Sequence, residues 1–239
     1  MKKNIFFTFG LIFVVSAKSF AQHKKLQPQT DLIVETTDKN FVSPDFVEAY
    51  DGTPYNSTTF LLGNLYINDK ISATDVALRY NIYSDEMEIK ESLQTEDEKL
   101  NALIKSPDIS ITILNDAFVY LPKGKGLEKG GYFQVITTGK NYSLYKKLSK
   151  KYYEARKAKT SFERDLPAKF EDITSFYIHF SFGGMVELSD SKKKGFKAFG
   201  ESEAIVKAYI KERKLDITKE KDLKRVIIYL DNQKNISQQ

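Results

Sequence analysis

The chain has 239 residues, is 29% charged and 41% hydrophobic, and contains no cysteine and no tryptophan. Without cysteine there is no disulfide framework, no thiolate nucleophile and no cysteine-based zinc site. The formal charge of +5 is weighted to the first residues: removing Lys2, Lys3 and Lys18 from the 37 basic residues leaves 34 against 32 acidic ones, a net of +2. A segment so near neutrality has no global field for steering toward nucleic acid, which excludes that class of partner.

The N-terminus, MKKNIFFTFGLIFVVSAKSFAQ, reads as a secretory signal. Lys2 and Lys3 precede an apolar run of 13 residues from Ile5 to Ala17, too short to span a bilayer comfortably. Ser19 and Ala21 supply small residues at the −3 and −1 positions, so cleavage is expected after Ala21. No later stretch is long and apolar enough for a transmembrane segment. The chain after cleavage is expected in the periplasm or outside the cell, and it is long enough to build a core by burial alone. Residues 22–42 (QHKKLQPQTD and onward) read as a flexible lead-in. Ser43-Pro44-Asp45 has the form of a short helix start, with Phe46, Val47 and Tyr50 on one face and a stop at Asp51-Gly52.

From Thr59 the pattern is that of strands. Phe60 to Ile67 ends at Asn68-Asp69-Lys70. Val76, Leu78, Tyr80 and Ile82 alternate with Ala77, Arg79, Asn81 and Tyr83, and Met87 and Ile89 resume the alternation after Ser84-Asp85. Leu93 to Lys105 reads as a helical insert through Leu100, Leu103 and Ile104, ended by Ser106-Pro107. Ile109, Ile111 and Ile113 alternate again, Asn115-Asp116 turns into Phe118–Leu121, and Tyr132–Ile136 follows. Ser143 to Lys159 fits either a helix or a long exposed strand. Phe176, Ile178, Phe180 and Phe182 share a strand face, Gly183-Gly184 reads as a two-residue hairpin loop, and Met185–Leu188 returns.

After Ser189 the spacing is helical. Phe196 and Phe199 belong to a short segment ended by Gly200. Ile205, Val206, Tyr209 and Ile210 form one stripe; Leu223, Val226, Ile227 and Leu230 form a second. The expected organisation is a signal peptide over 1–21, the lead-in over 22–42, a β-rich domain over 43–190 and a helical hairpin over 191–235 packed on it. The fold class is α+β: a mostly antiparallel β-meander, as a curled sheet or open barrel, with a C-terminal helical hairpin.

Few residues point to chemistry. His179 is the only histidine outside the lead-in, lies mid-strand, and has no G-x-S-x-G elbow to serve, so it reads as structural. Asp85, Glu86 and Glu88 could offer oxygen ligands to calcium, but they do not match an EF-hand loop. On a strand Glu86 and Glu88 share a face while Asp85 points away, so the trio reads as a solvated turn. "GKGLEKGG" (Gly124–Gly131) lacks the order of a phosphate loop and reads as a mobile loop between strands. No cofactor and no metal site is expected. The stretch from Tyr145 to Lys159 places Lys146, Lys147, Lys150 and Lys151 among Tyr145, Tyr152 and Tyr153. Those seven residues are the candidate binding face, for an envelope protein or an anionic glycan or lipid. The competing reading is a solvated element whose lysine stems cover apolar surface.

"LYINDK" (Leu65–Lys70) followed by "VALRYNIYSDEMEIK" (Val76–Lys90) resembles a group of uncharacterised exported proteins of Gram-negative bacteria. In that group a Y-x-N hairpin precedes an LRYNIY-x-DEME strand pair. "FVYLP" (Phe118–Pro122) and the lysine-rich C-terminal helices belong to the same resemblance, whose distinctive core is 78–88. The resemblance implies a signal peptide and a β-rich fold, and transfers no activity. The function expected is that of an exported, non-enzymatic binding or scaffold protein of the cell envelope. The alternative is a carboxylate-dependent hydrolase of an envelope polymer, with the acid-rich hairpin of Asp85, Glu86 and Glu88 near its cleft.

Overall fold

The computed structural model describes residues 34–35, 50–96, 101–160, 162–181, 183–189 and 191–237. The signal segment, most of the lead-in and the Ser43-Pro44-Asp45 helix start lie outside the described residues. Among the described residues twelve strands form one sheet. They are β1 (Val34–Glu35), β2 (Tyr50–Asp51), β3 (Leu61–Ile67), β4 (Lys70–Asn81), β5 (Glu86–Lys90) and β6 (Asn101–Leu103). There follow β7 (Ile109–Ile113), β8 (Asp116–Leu121), β9 (Gly131–Thr137), β10 (Tyr142–Tyr153), β11 (Ala168–Phe180) and β12 (Gly184–Leu188). The helices α1 (Lys192–Lys197), α2 (Glu203–Arg213) and α3 (Glu220–Ser237) come last.

The pairing order is β1-β6-β5-β4-β3-β7-β8-β9-β10-β11-β12, with β2 added in parallel to β11 at Ala168 and Lys169. This is the α+β meander that the alternation and turn signals anticipate, built as an open sheet whose two edges do not pair. Asn68 and Asp69 both have positive φ, 49° and 61°, which closes β3 onto β4 with a two-residue turn in the hand that suits twisted strands.

Three readings are corrected. Leu103, read as part of a helical insert, lies in β6, because Ala102 and Leu103 pair with β1 on one side and Ala102 with Glu88 of β5 on the other. Both side chains are buried, so tertiary pairing overrides a spacing of barely one helical turn. Leu100 lies outside the described residues. Gly184 is not in the hairpin loop but in β12, where it pairs with Phe180. Val34–Glu35, inside the stretch read as a lead-in, is a strand paired with β6. The segment from Tyr142 to Tyr153, which fits either state by sequence, is strand, paired along its whole length with β11.

Three apolar clusters hold the fold. One joins Leu65, Leu78, Tyr80, Met87, Ile111, Phe118 and Tyr132, with Leu148 packed against it. A second lies between the sheet and the helices: Leu144 and Ile178 face Val206, Leu223, Val226, Ile227 and Leu230. Each large side chain so buried contributes about 1.5–3 kcal/mol. The third, smaller cluster joins Leu127, Phe133 and Met185 on the sheet face away from the helices, with Tyr145 and Tyr177 beside it.

The helices are fastened by polar contacts as well. Asp231 of α3 accepts the backbone amides of Asn141 and Tyr142 through Oδ1 at 2.6 and 3.0 Å, and that of Lys140 through Oδ2 at 3.2 Å. One carboxylate thereby satisfies three donors of the β9–β10 turn. Tyr209 of α2 stacks flat on Tyr229 of α3, ring centroids 3.9 Å apart. Among the described residues no helix is long and apolar enough to cross a membrane.

Candidate functional site

The β4–β5 turn starts the site. Asn81 Oδ1 accepts the Ser84 amide at 3.2 Å, and Asp85 adopts φ 57°, a left-handed conformation that Asp tolerates better than most residues. That conformation turns the Asp85 carboxylate toward β9 and β10. Its Oδ1 accepts hydrogen bonds from Tyr80 Oη at 2.5 Å, the Tyr132 amide at 3.2 Å and Lys147 Nζ at 2.6 Å. Lys147 also donates to the Tyr132 carbonyl at 3.0 Å and lies 3.4 Å from Tyr80 Oη. Burial lowers the Lys147 amine below its ordinary pKa, against the attraction of Asp85. Burial and the Asp85 charge push the Tyr80 phenol well up, so it stays protonated and donates.

Asp85, Glu86 and Glu88 do not gather. Glu86 bonds Ser84 Oγ at 3.1 Å, and Glu88 faces Arg79 directly across the β4–β5 ladder, with Arg79 Nε 2.7 Å from Glu88 Oε2. The solvated-turn reading is corrected for two of them: Glu88 is 2% exposed, and the Asp85 side chain is 23% exposed and ion-paired. Alternation puts Glu88 on the sheet face opposite Met87 and Ile89, across from Arg79 and beside Ala102 of β6 in the ladder. Burial raises the Glu88 carboxyl, while Arg79 and then Asn81 favour its charged form. Its Oε1 accepts no hydrogen bond among the described residues. The Arg79 guanidinium lies 4.0 Å from the Tyr55 ring centre and 4.3 Å from that of Phe60, and donates to the Thr58 carbonyl at 3.3 Å.

The loop between β8 and β9, residues 122–130, is pinned rather than mobile. Gly124 and Leu127 exchange backbone hydrogen bonds of 3.0 Å, Leu127 is buried, and the Met185 amide donates to the Lys125 carbonyl at 2.6 Å. The approach of this strap to β12 requires glycine at Gly126 (φ 93°), where a Cβ would collide with the Met185 carbonyl, and at Gly184 (φ 89°), against the Lys125 carbonyl.

A cleft opens on each side of the strap. The larger, about 530 Å³, is lined by Tyr83, Asp85, Lys129, Lys147, Tyr177 and Glu187 among others. Phe133 also lines it and meets Tyr177 edge to face at 5.3 Å. Burial raises the Tyr177 phenol, helped by its hydrogen bond to Glu187. The smaller cleft, about 350 Å³, is lined by Pro107, Leu121, Pro122, Tyr145, His179 and Met185. There burial, then Lys125, lowers the His179 pKa, which keeps the ring neutral. Glu88 lines neither cleft. Among the described residues no three His, Asp or Glu side chains are grouped to hold a metal ion.

The candidate binding face of the sequence is all on β10, and alternation divides it between two faces. Lys146 pairs with Glu220 of α3 at 2.8 Å, Lys147 with Asp85, and Lys150 with Asp172 of β11 at 2.6 Å. Tyr145 packs near His179, and Tyr152 meets Tyr83 and Phe170. Lys151 is exposed, with Nζ 4.7 Å from the centre of the Tyr153 ring. The structure brings Lys147 into the larger cleft and adds Tyr83, Phe133, Tyr177 and Glu187, which no spacing in the sequence singles out. Their only sequence signal is an aromatic or charged residue on the strand face opposite the apolar stripe. No protein-family model, no curated protein and no solved structure matches the chain.

Proposed function

We propose that this protein is an exported, non-enzymatic binding or scaffold protein of the cell envelope, and that the larger cleft beside the strap holds its partner, an envelope protein or an anionic glycan or lipid. The observation that carries the reading is the composition of that cleft. Aromatic rings at Tyr83, Phe133 and Tyr177 supply contact area, and its polar groups are held in fixed directions by their neighbours. A concave, half-apolar surface with a few oriented polar groups is the usual form of a ligand site. Asp85 is held by Tyr80, Lys147 and a backbone amide, and Glu187 by Tyr177, which suits them to shape and specificity rather than to proton transfer. Export rests on the basic and apolar N-terminal segment and on the resemblance to exported proteins.

The test is site-specific photo-crosslinking of the full chain in producing cells. One probe replaces Lys129, exposed on the cleft border, and a control probe replaces Lys224, exposed on α3. A species captured from position 129, absent from position 224 and lost with Tyr177→Ala, supports the reading. Absence of any adduct at 129, or the same adducts at both positions, overturns it.

A further inference from the structure

We propose that the distal end of the β10–β11 hairpin is a membrane-contact surface, seated on an anionic lipid bilayer with Phe162 as its inserted tip. The described residues between Tyr153 and Ala168 lie past the paired register of β10 and β11, as a turn held on itself. Arg156 and Leu166 exchange backbone hydrogen bonds of 2.8 Å at its base. Asp165 accepts the Ala158 amide at 2.7 Å and Glu163 accepts the Lys159 amide at 3.0 Å, so these acids are turned toward the turn's own backbone. Phe162 stands 98% exposed, the most exposed large apolar side chain among the described residues, and Leu166 is 50% exposed.

A single exposed apolar side chain needs no explanation. The setting of this one does. From 151 to 169 the basic residues Lys151, Arg156, Lys157, Lys159, Arg164 and Lys169 stand against Glu154, Glu163 and Asp165, a local net charge of +3 in a segment that is near neutral elsewhere. Arg156, Lys157, Lys159 and Arg164 are exposed and form no ion pair with a described residue. This differs from Lys146, Lys147 and Lys150 nearer the sheet, each neutralised by an acid. An apolar ring collared by cations matches the two layers of an anionic bilayer surface, headgroup charge outside and acyl chain beneath. The ring also lies beyond both clefts' linings, so this surface stands whether or not the larger cleft is occupied.

The chain has no tryptophan, so Phe162→Trp places a single fluorescent reporter at the tip without disturbing a packed position. With phosphatidylglycerol-containing vesicles the emission is expected to shift to the blue and to be shielded from iodide. The shift should weaken as salt is raised, as the Debye length contracts below about 10 Å. In co-sedimentation, Phe162→Ser should lower vesicle partitioning about tenfold, the size expected for withholding one large apolar side chain. A Lys157→Glu, Lys159→Glu, Arg164→Glu variant should lower it at least as much, with an unchanged circular dichroism spectrum. No blue shift with any vesicle overturns the proposal. So does an equal shift on phosphatidylcholine alone, undiminished partitioning of Phe162→Ser, or capture by the tip of a protein or a soluble polyanion instead of vesicles.

Discussion

Lys147 Nζ lies 2.6 Å from Asp85 Oδ1, although five strand spacings separate β4 from β10 in the pairing order. At about 4.8 Å per strand, a flat sheet would hold those strands about 24 Å apart. The ion pair therefore joins two arms of the open sheet that no ladder joins. Tyr80, Tyr132 and Leu148 pack at the same junction, and residues 50–56 reinforce it by pairing with β11 at Tyr50 and with Asn81 at Tyr55.

Lys147→Met is expected to destabilise the protein by about 1–3 kcal/mol, because it leaves a largely buried carboxylate without its cation. Lys146→Met removes a pair whose acid, Glu220, is 43% exposed, and should cost under about 1 kcal/mol. Urea unfolding of both variants checks the contrast. Equal losses would mean that the arms are held by apolar packing alone.

Glu88 gives a pH signature. Burial raises its folded pKa above that of the unfolded chain, so the folded state binds the proton more tightly. As pH rises, the unfolded state sheds that proton first, and stability falls through the window between the unfolded and the folded pKa. Urea midpoints of the wild type, measured relative to Glu88→Gln from about pH 4.5 to about pH 8, should decline with rising pH. A relative midpoint that climbs instead would show that the Arg79 charge outweighs burial.

Arg79→Lys is not a conservative change. A lysine retains one charge opposite Glu88 but loses the planar stacking between Tyr55 and Phe60 and the reach to the Thr58 carbonyl. The expected loss is about 2–3 kcal/mol, with residues 50–60 released first. Limited proteolysis should cut the variant in that segment before it cuts the sheet. Simultaneous cleavage everywhere would contradict the local role of Arg79.

Gly126→Ala should lift the strap from β12. The new Cβ meets the Met185 carbonyl and the backbone keeps φ 93°, which together cost about 1–3 kcal/mol. Hydrogen exchange should quicken at the Met185 amide, which donates to Lys125, and stay slow at Leu144. Gly124→Ala has open space around its Cβ and should cost only the backbone strain. Matching exchange in the two variants would mean that the strap does not depend on close approach.

The fold was legible where one face of a strand is apolar. Val76, Leu78, Tyr80 and Ile82 alternate without exception, and the turns at Asn68-Asp69 and Ser84-Asp85 carry residues that accept positive φ. Within the stretch 93–105, Asn101–Leu103 form a strand despite the helical spacing of Leu100, Leu103 and Ile104, because the edges of β1 and β5 pair with them. The glycines of the strap look permissive in sequence and suggest mobility, whereas Gly126 is fixed by how closely β12 approaches. Of the β10 lysines, the sequence shows the charges but not which of them meet an acid.

By itself the sequence determined the class of the fold, the antiparallel pairing of strands joined by short turns, the amphipathic C-terminal helices and the lack of any thiol chemistry. These are local properties, set by periodicity, turn residues and composition. The tertiary structure decided that Asp85 faces Lys147, that Glu88 is buried against Arg79, that the strap divides the open face into two clefts, and that the unpaired cations lie at the hairpin tip around Phe162. Each of these is a meeting of segments far apart in the chain, and alternation along one strand carries no information about which other strand will cover it.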